Sequence, residues 1–102
     1  MAATLTVQKV VLLQGNVEVI GTCVLDDSYA TDGEVLDLSG YISGTPNVII
    51  NALSSTYLYR HNGGTAAGGK IIALVLADGT QAGSSSNLSS ITANVRAFGS
   101  AY

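Results

Sequence analysis

Five of the seven acidic residues, Asp26, Asp27, Asp32, Glu34 and Asp37, fall between Leu25 and Leu38. Such a cluster invites calcium. An EF-hand loop needs oxygen ligands at its first, third and fifth positions, Gly at the sixth and Glu at the twelfth. Placing Gly33 at the sixth puts Ser28, Ala30 and Asp32 at the first three and Ser39 at the twelfth, so two ligands are missing. A different calcium site built from Asp26, Asp27, Asp32 and Glu34 stays open. The simpler reading is a solvated corner, in which Asp and Ser side chains bond nearby N–H groups and Gly33 takes positive φ. In that reading Asp26, Asp27 and Ser28 end one strand, Tyr29 packs across the corner, and Leu36 and Leu38 re-enter the interior.

The other chemical constellations are weaker. Paired carboxylates for glycoside hydrolysis must face each other across a cleft, whereas these acids share one short segment and tryptophan is absent. Cys23 with His61 would suggest a thiol nucleophile and its base. However, Cys23 keeps the parity of Val17, Val19 and Leu25, as a buried free cysteine does, and His61 opens a glycine-rich loop where exposure is expected. A single Cys and a single His are too few for a zinc centre in one chain. Gly64, Gly69 and Lys70 match the spacing of a phosphate loop, but Ile71 follows where Ser or Thr is needed, and the next run reads as strand rather than helix. Asn87–Ser89 fits a glycosylation acceptor and is most simply a polar loop. No catalytic, metal or cofactor-binding residue is therefore assigned. Tyr29, Tyr57 and Tyr59 are the candidate interface anchors, a role in which tyrosine is enriched.

Composition narrows the classes further. The chain has 102 residues, enough for one domain. It is 11% charged and 47% hydrophobic, whereas soluble domains are roughly a quarter charged. A surface so poor in charge is partly covered by Ser, Thr, Asn and Gly, and a partner is expected to cover the rest. With a net charge of −3 and only Lys9, Arg60, Lys70 and Arg96 positive, no basic stripe exists for nucleic acid or for an anionic membrane. No apolar run approaches the ~20 residues of a spanning helix. The start, MAATLTVQ, lacks the basic and apolar regions of a secretory signal, so synthesis in a cytoplasm is expected.

The elements that would carry these residues read as strands. Leu5, Val7, Val11 and Leu13 alternate, interrupted by Lys9. Gln14–Asn16 then turns the chain into a second run, Val17–Leu25, with Val17, Val19, Cys23 and Leu25 on one face. Gly21 within it suggests a bulge or close backbone approach. The segment from Ser39 to Asn47, containing Pro46, reads as a loop. Val48–Arg60 reads as a strand pair or one bent strand, and His61–Gly69 as a flexible hairpin tip. Lys70–Ala77 is apolar on both parities, as a strand covered on both faces should be. Asp78–Ser90 is a Gly/Ser loop, and Ile91–Ala97 alternates cleanly. No segment of helical length shows helical periodicity with caps, and the alternative helix readings of Val48–Leu53 and Ile71–Ala77 are short and rich in Ile and Val. The expected fold is all-β, an antiparallel β-sandwich or small barrel of about six to eight strands. A single domain over 1–102 is expected, with 1–6 an extended N-terminal arm able to order on a neighbour.

The stretch VIGTCVLDDSYATDGEVLDL resembles a segment of small virion proteins of tailed bacteriophages, in which a strand ending in Gly-Thr precedes Asp-x-Ser-Tyr-x-Thr-x-Gly-Glu. Asp26 or Asp27, Ser28, Tyr29, Thr31, Gly33 and Glu34 carry the likeness, while Ala30 and Asp32 stand where Pro and Gly are usual. The similarity continues through STYLYR, the glycine-rich turn, KIIALVLA, the Ser-rich loop and ITANVRAFG. It implies a non-enzymatic auxiliary capsid protein, a decoration or cement protein of the virion assembled in the host cytoplasm. The implied partners are the major capsid protein and further copies of the chain as a homo-oligomer. A phage tail or connector subunit is the alternative within virions. A carbohydrate-binding β-sandwich module, stacking sugars on Tyr29, Tyr41, Tyr57 and Tyr59, is the alternative outside them.

Overall fold

The computed structural model describes residues 2–30, 32–83 and 85–101. Seven strands form two antiparallel sheets, a small β-sandwich with no helix among the described residues. The strands are β1 (Thr4–Leu13), β2 (Asn16–Val24), β3 (Glu34–Val35), β4 (Ile42–Ala52), β5 (Tyr57–His61), β6 (Lys70–Val75) and β7 (Thr92–Ala101). The larger sheet has the order β1-β2-β7-β4 and the smaller β3-β6-β5. Its ten-residue strands, at ~3.3 Å per residue, give the molecule its long dimension of 41 Å against 21 Å in the other two.

Period-two burial builds the interior. Val17, Val19, Cys23 and Leu25 from the β2 run and Ala93, Val95 and Ala97 from β7 are buried, and they meet Tyr59, Ile71 and Ala73 from the smaller sheet. Leu36 and Leu38 enter the same cluster from the chain after β3. β6 is covered on both faces only over Ile71–Ala73. Beyond it, Leu76 is exposed, because the smaller sheet carries nothing on its outer side there.

β1 and β2 are joined by a two-residue turn in which Gln14 and Gly15 both have positive φ, 45° and 88°, the signature of the primed hairpin turns that match strand twist. Asn16 lies already in β2. Where Lys9 breaks the alternation of β1, the ladder slips: Val7 pairs with Gly21 and Lys9 with Ile20, so Gln8 is the extra residue of a bulge. After the slip, Val10 and Leu12 rather than Val11 share the inner side with Val19 and Val17. The second sheet does not extend beneath them, and Leu12 is 71% exposed. Gly21 faces the bulge so closely that a Cβ there would run into the Thr6 carbonyl oxygen.

Pro46 lies inside β4, not in a loop between elements. The ladder to β7 slips between Ser43 and Asn47, and β4 is an edge strand, which is where a strand tolerates a residue with no N–H to donate. Val48–Ala52 and Tyr57–His61 belong to different sheets, so the chain crosses between layers at Leu53–Thr56. Of residues 1–6, Met1 lies outside the described residues. Ala2 bridges Val35, the Ala3 N–H donates to the Val35 carbonyl at 2.9 Å, and Thr4–Thr6 are laddered to β2. The Ser-rich segment is fastened to the body by Ala82 N–H to the Ala73 carbonyl and Ser85 N–H to the Tyr29 carbonyl.

Candidate functional site

Carboxyls of the acidic corner are engaged by local hydrogen bonds. Asp26 Oδ1 accepts the Ser28 N–H at 2.9 Å, and Asp37 Oδ1 accepts both the N–H and the hydroxyl of Ser39. These bonds hold both carboxyls below the usual range. Asp27, hydrogen bonded to the Asp26 carboxyl and repelled by its charge, is pushed up. Gly33, at φ 97°, closes the turn with its N–H on the Ala30 carbonyl; a Cβ there would strike Ile72. Thr31 of the corner lies outside the described residues. Glu34 turns the other way, into the core, where it is 0% exposed. Among the described residues no three His, Cys, Asp or Glu side chains gather as metal ligands would.

Two of the three tyrosines expected at an interface are core residues. Tyr29 is 1% exposed and its hydroxyl accepts the Ala73 N–H at 3.1 Å, fastening the corner to β6. Tyr59 is 2% exposed on the inner face of β5, and its hydroxyl has no partner. The physical reason is parity: Tyr57 and Tyr59 share the inner side of their strand, and only Tyr57, near its start, stays half-buried. Of the four sugar-stacking candidates, Tyr41 alone is exposed.

Cys23 is a packing residue, and burial, with the Glu34 charge second, pushes its thiol up to about 12. His61 is half-buried rather than exposed. Its Nδ1 accepts the Gly63 N–H at 3.1 Å, and its Nε2 is enclosed beside Gly69 without a partner. Burial lowers its pKa, which keeps the ring neutral. Lys70 opens β6 and no helix follows it.

The outer face of the larger sheet carries exposed apolar residues that no other element covers. Cross-strand pairing sets its rows: Lys9, Ile20, Arg96 and Ile49 lie across one, and Val11, Glu18, Phe98 and Asn47 across the next. Ile49 is 57% and Phe98 37% exposed, and Ile20, across Arg96 from Ile49, is half-buried. Two of the charges within this field pair, with Lys9 left at the β1 edge: Arg96 Nε meets Glu18 Oε2 at 2.8 Å, and its guanidinium carbon lies 5.9 Å from the Phe98 ring centre. Two shallow grooves mark the face. One of about 390 Å³ runs over Phe98 between Glu18 and Asn47, and one of about 250 Å³ runs between Ile20 and Ile49. A smaller apolar patch, Leu58 and Leu76 with Leu74, lies outside the second sheet.

Sequence reasoning singled out tyrosines as candidate anchors and did not single out these exposed apolar residues. The signal was present in the outer parity of β2 and β7, where Ile20, Val24 and Phe98 interrupt otherwise hydrophilic positions. Glu34 was likewise legible, since it shares parity with the buried Leu36 and Leu38. No family model, curated protein or solved structure matches the chain.

Proposed function

We propose that the chain is a structural, non-enzymatic protein of a tailed-phage particle that decorates or cements the capsid, laying the outer face of its four-stranded sheet on the major capsid protein. The observation that carries this reading is the field of Ile20, Ile49 and Phe98, left uncovered around a self-neutralised Glu18–Arg96 pair. Four strands spaced ~4.8 Å apart and about nine residues long make a face on the order of 500 Å². With its rim that approaches the ~800 Å² per partner of a standard interface. A closed ion pair costs less to desolvate when a partner arrives than two separate charges would. The virion-like motif through Ser28, Tyr29, Gly33 and Glu34 supports the same reading: Tyr29, Gly33 and Glu34 build the corner between the sheets, leaving the outer face for contacts. Many copies on one lattice would hold firmly through individually weak contacts.

The test is a double variant, Ile49→Asp with Phe98→Asp, both at exposed positions. It should keep the wild-type circular dichroism and lose co-sedimentation with particles stripped of this protein. Undiminished binding by the folded variant, or absence of the chain from purified particles, would overturn the reading; recovery with the tail fraction would move it to the tail.

A further inference from the structure

Asn62–Gly63 is the one Asn-Gly step in the chain, and the glycine-rich loop surrounds it with the groups an acyl transfer requires. The Asn62 side-chain oxygen Oδ1 accepts two backbone N–H groups, from Gly64 at 2.9 Å and Lys70 at 3.0 Å. Since both partners are donors, the atom they hold must be the carbonyl oxygen and not the amide nitrogen. Two N–H groups aimed at one carbonyl oxygen polarise it and stabilise negative charge developing there. On the other side, the Gly63 N–H donates to His61 Nδ1 at 3.1 Å. The glycines permit this closeness: a Cβ at Gly64 would lie 3.0 Å from Asn62 Oδ1, and one at Gly69 would overlap the His61 ring. The bond from Gly64 folds the Asn62 carboxamide back over its own following peptide, as an Asx turn does.

We propose that Asn62–Gly63 is a self-modifying site, at which His61 acts as general base for attack of Gly63 N on the Asn62 side-chain carbonyl carbon. The new bond is N–Cγ, and the bond that breaks is Cγ–Nδ2. The proton leaving Gly63 N passes to His61 Nδ1 and then to Nδ2, which departs as ammonia, leaving a five-membered succinimide. Solvent water reopens the ring: at the side-chain carbonyl it yields aspartate, and at the main-chain carbonyl isoaspartate. No electrons are gained or lost.

His61 must be neutral to act, because a protonated ring has no lone pair on Nδ1 to accept the Gly63 N–H. Across the smaller sheet the row from His61 runs through Ile71 to Glu34, and Lys70 begins the strand beside it. Neither charge is hydrogen bonded to the ring. The opposing physical outcome is protection: the same bonds could hold Asn62 too rigidly for ring closure.

Peptide mapping by mass spectrometry, with isoaspartate methylation as a second readout, separates the two. The full-length folded protein is incubated at neutral pH beside the same chain unfolded in urea. Asn62 should convert faster in the folded protein than in the unfolded one. His61→Gln should slow it roughly a hundredfold, the scale of a single general base, while the rate in urea stays unchanged. In wild-type protein the folded-to-unfolded rate ratio should collapse as pH falls through the His61 pKa, a measurement that does not depend on the variant folding. A folded chain that converts more slowly than the unfolded one, an unaffected His61→Gln, or a pH-independent ratio would each overturn the proposal.

Discussion

Glu34 accepts the Asp26 backbone N–H at 2.7 Å from a carboxyl that is 0% exposed, and its second oxygen meets no donor. Burial raises its pKa, and the Asp26 N–H only partly offsets this. The folded state therefore holds a proton on Glu34 at pH values where the unfolded chain, with a pKa of ~4.3, has lost it. Between those two pKa values the native state binds more protons, so stability falls as pH rises and is lowest above the folded pKa.

Glu34→Gln should remove that slope. The amide oxygen can still accept the Asp26 N–H, and no charge is buried. Urea melts from pH 4 to 8 should show the variant gaining on wild type as pH rises, by about 1.4 kcal/mol for each unit that the folded pKa exceeds the unfolded one. Glu34→Leu, which strands the Asp26 N–H, should forfeit roughly 1–3 kcal/mol of that gain.

Gly21→Ala should be among the most damaging small substitutions. Its Cβ meets the Thr6 carbonyl oxygen and lies 3.1 Å from Val7 Cα, all backbone that cannot rotate away. The β1–β2 register must shift, at a cost of roughly 1–3 kcal/mol. In a domain of this size that is a fall of about 5–20 °C in Tm by calorimetry.

Gln14→Asn should stabilise. Gln14 holds φ 45° at the hairpin turn, a region where Asn is much better tolerated. A gain of about 0.5–1 kcal/mol is expected, read as a raised denaturant midpoint with m unchanged.

Cys23 should resist thiol reagents until the domain opens. Its sulfur is buried and its thiol pushed up to about 12, so reactive thiolate is scarce and inaccessible. Labelling followed by mass spectrometry should be slow in native buffer, tracking global unfolding, and immediate in denaturant.

The alternation of β2 and β7 made the two central strands of the larger sheet readable residue by residue, because each buries one parity. Gly21, read as a bulge or a close backbone approach, is the close approach, and the bulge lies opposite it on β1. What escaped lay where neighbours overrode local pattern. Pro46 looked like a loop residue because edge position in a sheet is a property of the topology. Lys70–Ala77 looked uniformly buried, yet only Ile71–Ala73 find cover on both sides. His61 looked exposed beside its glycines, whereas those glycines let the loop close over the ring. Among the acids, composition grouped Glu34 with its neighbours, although its parity with Leu36 and Leu38 sends it into the core.

Both rims of the larger sheet are spoiled for further pairing, by Gln8 and Lys9 on β1 and by Pro46 on β4. Such features block strand-by-strand templating. A polypeptide this greasy is thereby kept from seeding open-ended fibrils through the rims of that layer.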